Sequence, residues 1–239
     1  MVKQDKLGKM GVVIVAAGKG SRMRTAMSKQ YLQLGGRSIL VHTLQLFQNI
    51  QEVDHIVLVV GESDLDRCRQ FVRDYKLAKV IRILIGGKER QNSVKLGLDA
   101  LSPGTEWVLV HDGVRPFVAP EQVVSCWHKA MEQEAAVLAV PVKDTIKIVD
   151  AEGEIQLTPD RKSLWAIQTP QAFRVSLLQE AHVQAEKEGF LGTDDAMLVE
   201  RMGKPVHVVE GDYYNIKITT PEDLPLAEWI LQNIRGGRS

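Results

Sequence analysis

Short, nearly continuous apolar runs recur along the chain and alternate with segments of helical periodicity. Apolar positions spaced three and four apart are typical of amphipathic helices, whereas bounded apolar runs of four to eight residues are typical of buried strands. Strands that alternate with helices and are apolar on both faces favour a mostly parallel sheet covered by helices on both sides. The pattern predicts strands at Val12–Ala16, His55–Val60, Val80–Ile85, Trp107–Val110 and Ala135–Pro141, and helices at Ile39–Phe47, Leu65–Tyr75, Ser93–Leu101 and Glu121–Gln133.

The alternation breaks after Pro141, where a hairpin is predicted. Residues 144–149 alternate polar and apolar side chains, Asp150-Ala151-Glu152-Gly153 is a turn sequence, and residues 154–158 resume an extended pattern. A two-stranded ribbon is marginally stable on its own in water, so we expect it to pack against a second subunit. We therefore predict one domain, residues 1–239, with a projecting arm at about residues 141–160 through which two chains form a homodimer. Beyond the arm the pattern predicts helices near Val175–Lys187, from Asp194 and at Pro221–Leu231, and strands at Val206–Val209 and Ile216–Ile218.

Composition narrows the classes of function. Thirty basic and thirty acidic residues cancel, so net charge favours neither a nucleic-acid nor a membrane partner, and any anion must meet a local basic cluster. Cys68 and Cys126 lack metal-site spacing and are expected to be reduced structural thiols. No apolar run approaches the roughly 20 residues of a membrane span, and the N-terminus lacks a signal-peptide pattern. We therefore predict a cytoplasmic protein.

The segment VAAGKGSRM follows the first predicted strand and is rich in glycine and basic residues. Gly18 and Gly20 would let backbone amides approach a phosphate, and Arg22 and Lys29 could add charge to a polyphosphate site. The turn lacks the third glycine of a dinucleotide fingerprint and the Gly-Lys-Ser/Thr ending of an NTPase loop. An ordinary strand-to-helix turn with solvated bases explains the same residues, so both interpretations stay open.

Polar residues follow the later strands as well, at the sheet edge where open α/β sheets bind ligands. Asp112, in VLVHDGVRP, suits a Mg²⁺ site or a sugar hydroxyl, or else caps a turn. His111 and Arg115 beside it are either structural or part of an anion site. Lys217 either faces water or contacts phosphate. Thr193 or Asp194 is expected to cap a helix with an acidic first turn.

Taken in order along almost the whole chain, several blocks resemble the 2-C-methyl-D-erythritol 4-phosphate cytidylyltransferases of the non-mevalonate isoprenoid pathway. The resemblance implies a Rossmann-like fold and a CTP-dependent transfer, in which the 4-phosphate of methylerythritol phosphate attacks the α-phosphorus of CTP and releases pyrophosphate. It also implies Mg²⁺ or another divalent cation. The blocks are VAAGKGSRM, SKQYLQLGGRSIL, GGKERQNSV, VLVHDGVRPF, PVKDTIK, LWAIQTPQAF, GTDDA and NIKITTPEDL.

The family pattern assigns a role to each candidate residue. Arg22, Lys29, Lys217 and Arg161 would be catalytic. CTP would contact Ala16, Ala17, Gly18, Lys19, Gly20, Gly87, Lys88, Ser93 and Asp112. The sugar phosphate would contact Asp112, Thr145, Arg161, Thr193 and Lys217, with Thr145 and Arg161 reaching the neighbouring subunit's site from the arm. Asp112 would be at most a weak metal ligand, because the CTP phosphates would hold most of the Mg²⁺.

Three positions depart from the family pattern. Lys88 stands where an acid is often found, Ser28 where a proline commonly precedes the lysine, and Tyr214 where an acidic residue is usual. Within the family, ribitol-5-phosphate cytidylyltransferase is the alternative, although Ala16-Ala17-Gly18 and the residues 160–165 favour methylerythritol phosphate. An NAD-dependent dehydrogenase and a non-catalytic nucleotide-binding module are the alternatives from other classes.

Overall fold

The computed structural model describes residues 8–18 and 28–235. Its strands are β1 Lys9–Ala16, β2 Gln33–Leu34, β3 Arg37–Ser38, β4 Val53–Val60, β5 Val80–Ile85, β6 Thr105–Asp112, β7 Ala135–Pro141, β8 Ile148–Val149, β9 Ile155–Leu157, β10 Trp165–Arg174 and β11 His207–Glu210. Its α-helices are α1 Ile39–Asn49, α2 Leu65–Asp74, α3 Arg90–Asp99, α4 Pro120–Gln133, α5 Val175–Lys187, α6 Asp195–Arg201 and α7 Asp223–Ile230.

A seven-stranded sheet in the order β11-β7-β10-β6-β1-β4-β5 forms the centre of the fold. The pairs β1–β4, β1–β6, β4–β5 and β7–β11 are parallel, and only β10 runs antiparallel to its neighbours β6 and β7. All five strands predicted from the apolar runs are present. The predicted α/β class with a mostly parallel, Rossmann-like sheet is confirmed.

Alternate residues of the central strand β1 serve opposite faces of the sheet. Val12 and Ile14 belong to a core cluster shared with α1, α2 and α4, whereas Val13 belongs to a second cluster shared with α3, α5 and α6. Full burial of a Val or Ile side chain stabilises a fold by about 1.5–3 kcal/mol. Helices on both faces therefore explain why β1 is apolar at consecutive positions rather than at every second one.

Within the central sheet, the sequence pattern misses strand β10. Its central residues Gln168, Thr169 and Gln171 are polar and buried, and the pairing with β7 shifts register between Ile167 and Gln171. The buried amides are satisfied by specific partners: Gln168 Nε2 donates to the Asp212 carbonyl oxygen at 2.9 Å. Polar side chains with such partners interrupt the apolar run that would otherwise mark a central strand.

The C-terminal part corrects one prediction and confirms another. The predicted strand Ile216–Ile218 is wrong, because this segment makes no strand pairing and is joined to the turn after β6 by a bond from the Ile218 amide to the Val114 carbonyl oxygen at 3.0 Å. The predicted cap is present: Asp194 Oδ1 accepts from the Met197 amide at 3.0 Å, at the start of α6.

The predicted hairpin is present as β8 and β9, which pair antiparallel with Ile148 opposite Leu157 and Val149 opposite Ile155. Asp150 forms the turn, since its Oδ1 accepts from the amides of Glu152 and Glu154. The apolar side chains of this arm are exposed by 41% to 62%, and Trp165 and Ile167, where β10 begins, are exposed beside it. The exposed apolar residues of the arm are Ile146, Ile148, Val149, Ile155 and Leu157.

Both cysteines are free and buried, as predicted for structural thiols. Burial raises the pKa of the Cys68 thiol to about 11 and that of the Cys126 thiol to about 12, so neither is a thiolate near neutral pH. Within residues 8–18 and 28–235, no helix combines the length and the apolar character that crossing a membrane requires.

Candidate functional site

A cleft of about 290 Å³ lies beyond the carboxyl ends of the parallel strands β1 and β6. This is the edge at which open α/β sheets bind ligands. The cleft brings together nine of the predicted site residues: Ala16, Ala17, Gly18, Lys29, Gly87, Lys88, Ser93, Asp112 and Lys217. Its wall also contains Val15, Gln30, Glu89, Arg90 and Val114, to which the sequence analysis assigned no role.

The loop between β5 and α3 approaches the turn after β1 very closely. A Cβ atom added at Gly86 would lie 2.4 Å from Ala17 Cβ and 2.8 Å from Ser93 Oγ, so only glycine fits there without displacing backbone. Ser93 Oγ accepts from the Gly87 amide at 3.1 Å and donates to the Glu89 carbonyl oxygen at 3.2 Å. The Ser93 hydroxyl therefore shapes this loop from within.

The carboxylate of Asp112, at the end of β6, is buried and surrounded by three cations. Lys217 Nζ lies 2.7 Å from Asp112 Oδ2. Arg90 Nε lies 3.5 Å from Oδ1, and Arg115 Nε lies 3.6 Å from Oδ2. These ion pairs, rather than a turn cap, account for the Asp112 side chain.

Burial is the largest single influence on Asp112 and acts to raise its pKa. The positive charges of Lys217, Arg90 and Arg115 together outweigh it and hold the pKa of the Asp112 carboxyl well below its usual range. Asp112 is therefore ionised throughout the physiological pH range, and the cluster carries more positive than negative charge.

Arg90 links this cluster to a second buried carboxylate. Its Nη2 lies 2.8 Å from Oδ2 of Asp195, the first residue of α6. Burial acts to lower the pKa of the Arg90 guanidinium, but Asp195 and Asp112 together raise it above its usual range. Gln171 Oε1 accepts from the Asp195 amide at 3.2 Å and so fixes the start of α6 against β10. Sequence reasoning explained Asp195 as part of an acidic first turn and missed its partner, which lies far away along the chain.

His111 has a structural role, which is one of the two alternatives that the sequence left open. Its Nε2 donates to the Arg115 carbonyl oxygen at 3.0 Å, and its Nδ1 lies 3.1 Å from Thr169 Oγ1. Thr169 Oγ1 accepts in turn from the Asp112 amide at 3.1 Å. Burial lowers the pKa of His111 to about 4, so the ring is neutral near pH 7 and braces the turn that carries Asp112.

The segment that carries Lys217 is held by the buried side chain of Asn215. Asn215 Nδ2 donates to Gln168 Oε1 at 3.1 Å and to the Thr169 carbonyl oxygen at 2.9 Å. The main-chain carbonyl oxygen of Asn215 accepts from Arg115 Nη1 at 2.8 Å. Lys217 is thus presented to the cleft from an extended segment anchored to β10 and to the turn after β6.

Three further predicted residues that the structure describes, Thr145, Arg161 and Thr193, do not line this cleft. Thr193 is exposed, and its hydroxyl contacts Met197 Sδ at 3.6 Å. Thr145 lies on the arm and Arg161 directly follows it, where Arg161 Nη1 donates to the Lys143 carbonyl oxygen at 3.0 Å. The predicted nucleotide contacts Lys19 and Gly20 and the predicted catalytic residue Arg22 lie outside the described residues.

The three departures from the family pattern take different places. Lys88 lines the cleft, and Ser28 directly precedes the short helix Lys29–Tyr31. Tyr214 packs its ring against Trp229, with ring centroids 6.1 Å apart, next to the segment that carries Lys217. An aromatic contact to α7 thus stands where a carboxylate is usual.

The donors in the cleft suit a polyanion rather than a metal held by protein alone. Among the described residues, four basic and two acidic ones line it: Lys29, Lys88, Arg90 and Lys217 against Glu89 and Asp112. No group of three or more His, Cys, Asp or Glu side chains in the described part of the chain is placed to hold a metal ion. Backbone amides and several cations around a cleft at strand ends are suited to phosphate groups.

Comparison with known proteins gives one consistent result. The sequence profile of the family described as IspD, 2-C-methyl-D-erythritol 4-phosphate cytidylyltransferase, matches residues 10–233. A protein of that name from Geobacillus thermodenitrificans is 51% identical over 219 residues, which cover 92% of this chain and 95% of the relative. Another from Alkaliphilus metalliredigens is 47% identical over 230 residues, covering 96% and 95%.

Solved structures agree with the sequence relatives. The crystal structure of 4-diphosphocytidyl-2C-methyl-D-erythritol synthase from Anaerococcus prevotii superposes with a TM-score of 0.84 at 36% sequence identity. The superposition covers 95% of this chain and 97% of the other.

Proposed function

Because this chain belongs to the 2-C-methyl-D-erythritol 4-phosphate cytidylyltransferase family, we propose that it transfers the cytidylyl group of CTP to 2-C-methyl-D-erythritol 4-phosphate. The products are 4-diphosphocytidyl-2-C-methyl-D-erythritol and pyrophosphate. The observation that carries the proposal is the cleft itself, in which a surplus of basic side chains surrounds an ionised, buried Asp112.

The reaction needs charge stabilisation more than proton transfer. An oxygen of the acceptor phosphate forms a bond to the α-phosphorus of CTP while the bond from that phosphorus to the bridging oxygen of pyrophosphate breaks. The nucleophile is already ionised near neutral pH, so no strong general base is required. What must be overcome is repulsion between anions and the charge that builds in the transition state. Lys29 and Lys217, which come from two different segments of the chain, supply positive charge to the cleft, and Arg22 is proposed to add to it.

Asp112 is proposed to hold Lys217 ready for this step. In the structure Lys217 Nζ is bound to Asp112 at 2.7 Å. When phosphates enter, Lys217 can turn toward them, because Arg90 and Arg115 still compensate the charge of Asp112. Asp112 is then free to accept a hydrogen bond from a substrate hydroxyl.

The loop from Gly86 to Arg90 is proposed to select the base. Its polar backbone groups line one side of the cleft, and the Ser93 hydroxyl holds their orientation. Cytosine offers a donor at its amino group and an acceptor at N3, whereas uracil reverses that pattern. A site left with unpaired buried polar groups discriminates strongly against the wrong ligand, so we expect CTP to be preferred over UTP and ATP.

The described residues fit a divalent cation that is held mainly by the bound substrate. Asp112 is already bonded to three cations, and a complete set of protein ligands is absent from the described residues. Mg²⁺ would therefore be held mainly by the CTP phosphates, with Asp112 as at most a weak ligand, and it would reduce the negative charge of the triphosphate.

The arm is proposed to complete the site of a second copy of the chain. Its apolar side chains are exposed, and Thr145 and Arg161 do not reach their own chain's cleft lining. A homodimer with interlocked arms would bury the ribbon and bring Thr145 and Arg161 to the partner's acceptor phosphate. Thr193 is proposed to face the same sugar phosphate. The buried free thiols support the prediction of a reducing, cytoplasmic location.

One assay tests the function. The purified chain is incubated with CTP, Mg²⁺ and one acceptor at a time, and pyrophosphate is measured. We expect release with methylerythritol phosphate and none with ribitol 5-phosphate or with CTP alone. Release with ribitol 5-phosphate instead would overturn the acceptor, and no release with any acceptor would overturn the transfer itself.

A further inference from the structure

Gln30 bridges two carbonyl groups at the point where β1 ends. Its side chain lines the cleft and is only 2% exposed. Its Nε2 donates to the Ala16 carbonyl oxygen at 2.8 Å and to the Gly18 carbonyl oxygen at 3.3 Å. The bridge therefore spans the last residue of the strand and the first glycine of the turn that the sequence marks for phosphate binding.

The bridge uses chemistry that few side chains have. A primary amide carries two N–H donors on one nitrogen, and both are needed to satisfy two carbonyl oxygens. A carboxylate of the same shape has no donor and would repel both oxygens, and an apolar chain of the same length would leave them unpaired. The Ala16 carbonyl is buried, and leaving it unpaired is costly, so the end of β1 would move to find another partner. The carbonyl of the exposed Gly18 would lose the bond that ties it to Gln30.

The main chain of Gln30 is anchored as firmly as its side chain. Its carbonyl oxygen accepts from Ser38 Oγ at 2.8 Å, and Ser38 is a buried residue at the start of α1. The short helix Lys29–Tyr31 closes around it, with the Leu32 amide donating to the Lys29 carbonyl oxygen at 3.1 Å. Gln30 thus ties the turn after β1 to the segment that carries Lys29.

We infer that Gln30 is a positioning residue for the transfer step: its amide fixes the distance between the Ala16–Gly18 turn and Lys29, so that both engage the same triphosphate. This inference rests on the proposed cytidylyl transfer and adds to it a residue that acts through Lys29. Misplacement of a catalytic group by about 1 Å can cost about 100-fold in rate. The consequence belongs mainly to kcat, because Lys29 is needed most where charge develops.

The test compares Gln30→Met and Gln30→Glu with the wild-type chain, with Gln33→Glu as the matched control. Gln33 is exposed and lies outside the cleft. In the pyrophosphate assay with CTP, Mg²⁺ and methylerythritol phosphate, we expect both Gln30 variants to lose about 10- to 100-fold in kcat, with KM for either substrate changed less than about 3-fold. Gln33→Glu should stay within about 2-fold of wild type in every constant.

Two further readouts separate positioning from a loss of folded protein. The kcat loss should persist at two assay temperatures well below the thermal midpoint, whereas a loss caused by partial unfolding would shrink on cooling. In a Lys29→Ala background, Gln30→Met should cost less than about 3-fold more, because residues that act as a unit are not additive. A folded Gln30→Met chain with wild-type kcat, or one whose loss is undiminished in the Lys29→Ala background, would overturn the inference.

Ser38→Ala decides the matter if both Gln30 variants fail to fold. It removes one hydroxyl and the outer anchor of Gln30, and we expect it to lower kcat about 3- to 10-fold at unchanged KM. Wild-type kcat in a folded Ser38→Ala chain would then contradict the inference. The wild-type measurement keeps the two claims apart. A wild type that releases no pyrophosphate contradicts the proposed function and this inference with it. An active wild type beside unaffected variants contradicts this inference alone.

Discussion

The cleft and the arm differ in the side chains that they present, although blocks in both regions resemble the same family. The cleft contains buried charge whose partners all come from the same chain, as in the cluster of Asp112 with Arg90, Arg115 and Lys217. The arm presents exposed apolar side chains that no part of residues 8–18 and 28–235 covers, with Ile155 62% exposed. This difference is the ground for the proposal that the cleft of one chain works together with the arm of another.

The largest expected effect concerns the cleft alone. Lys29→Ala should lower kcat by about 1,000-fold with CTP binding changed less than about 5-fold, since its charge is needed most as the transition state forms. Lys129→Ala is the matched control, because Lys129 lies on α4 and pairs only with the exposed Glu132. Steady-state pyrophosphate release and calorimetric CTP binding check it. A variant with raised KM for CTP and unchanged kcat would reduce Lys29 to an ordinary binding group.

A second prediction concerns the free energy of unfolding at acidic pH, through His111 beside the cleft and not through the arm. Burial lowers the pKa of His111 to about 4, whereas an unfolded chain has a His pKa of about 6.5. Between these values the unfolded chain binds the proton and the folded chain does not, so the stability contributed by neutral His111 is complete above pH 6.5 and is lost as the pH falls toward 4. This difference amounts to about 3 kcal/mol.

Urea unfolding at several pH values measures the stability that neutral His111 contributes. The free energy of unfolding should fall less steeply on acidification in His111→Gln than in wild type, by about 3 kcal/mol between pH 6.5 and 4. His128→Gln, at an exposed position on α4, should follow the wild-type curve. Parallel curves for His111→Gln and wild type would show that His111 is not held neutral.

A third prediction addresses the arm alone. Ile155→Asp places a charge in the proposed dimer interface and should weaken self-association by at least about 10-fold, because a charge would then have to be buried with the ribbon. Val183→Asp, at an exposed apolar position on α5, should leave association unchanged. Sedimentation equilibrium measures both. A wild-type chain that is monomeric and fully active would remove the role of the arm altogether.

The sequence predicted most of the fold because its signals are local. Apolar runs such as Val12–Ala16 and His55–Val60 mark strands buried on both faces, and Asp194 marks the helix that it caps. The family and its activity were also predicted, on blocks in order along the chain, and are confirmed by the match over residues 10–233. The individual site residues remain predictions, although nine of them line one cleft.

What the sequence did not predict depends on partners distant along the chain. Strand β10 is polar at its centre, and its buried amides are satisfied by segments such as Asp212 that no local pattern reveals. The segment Ile216–Ile218 looks like a strand by its apolar residues but lies where no neighbouring strand pairs with it. Arg90 was read as part of a motif only, because its pairing with Asp195 joins residues more than a hundred positions apart.

The central claim, that the cleft of one chain works with the arm of another, is tested most directly by mixing two impaired variants. Lys29→Ala lacks a working cleft, and Arg161→Ala should lose about 10-fold or more in methylerythritol phosphate use while binding CTP normally. In a mixed dimer, both lesions fall in one site, and the other site combines an intact cleft with an intact arm. Random exchange of equal amounts should therefore restore about one quarter of wild-type activity. A mixture whose activity stays at the mean of the two separate variants, after subunit exchange has been demonstrated, would contradict the claim.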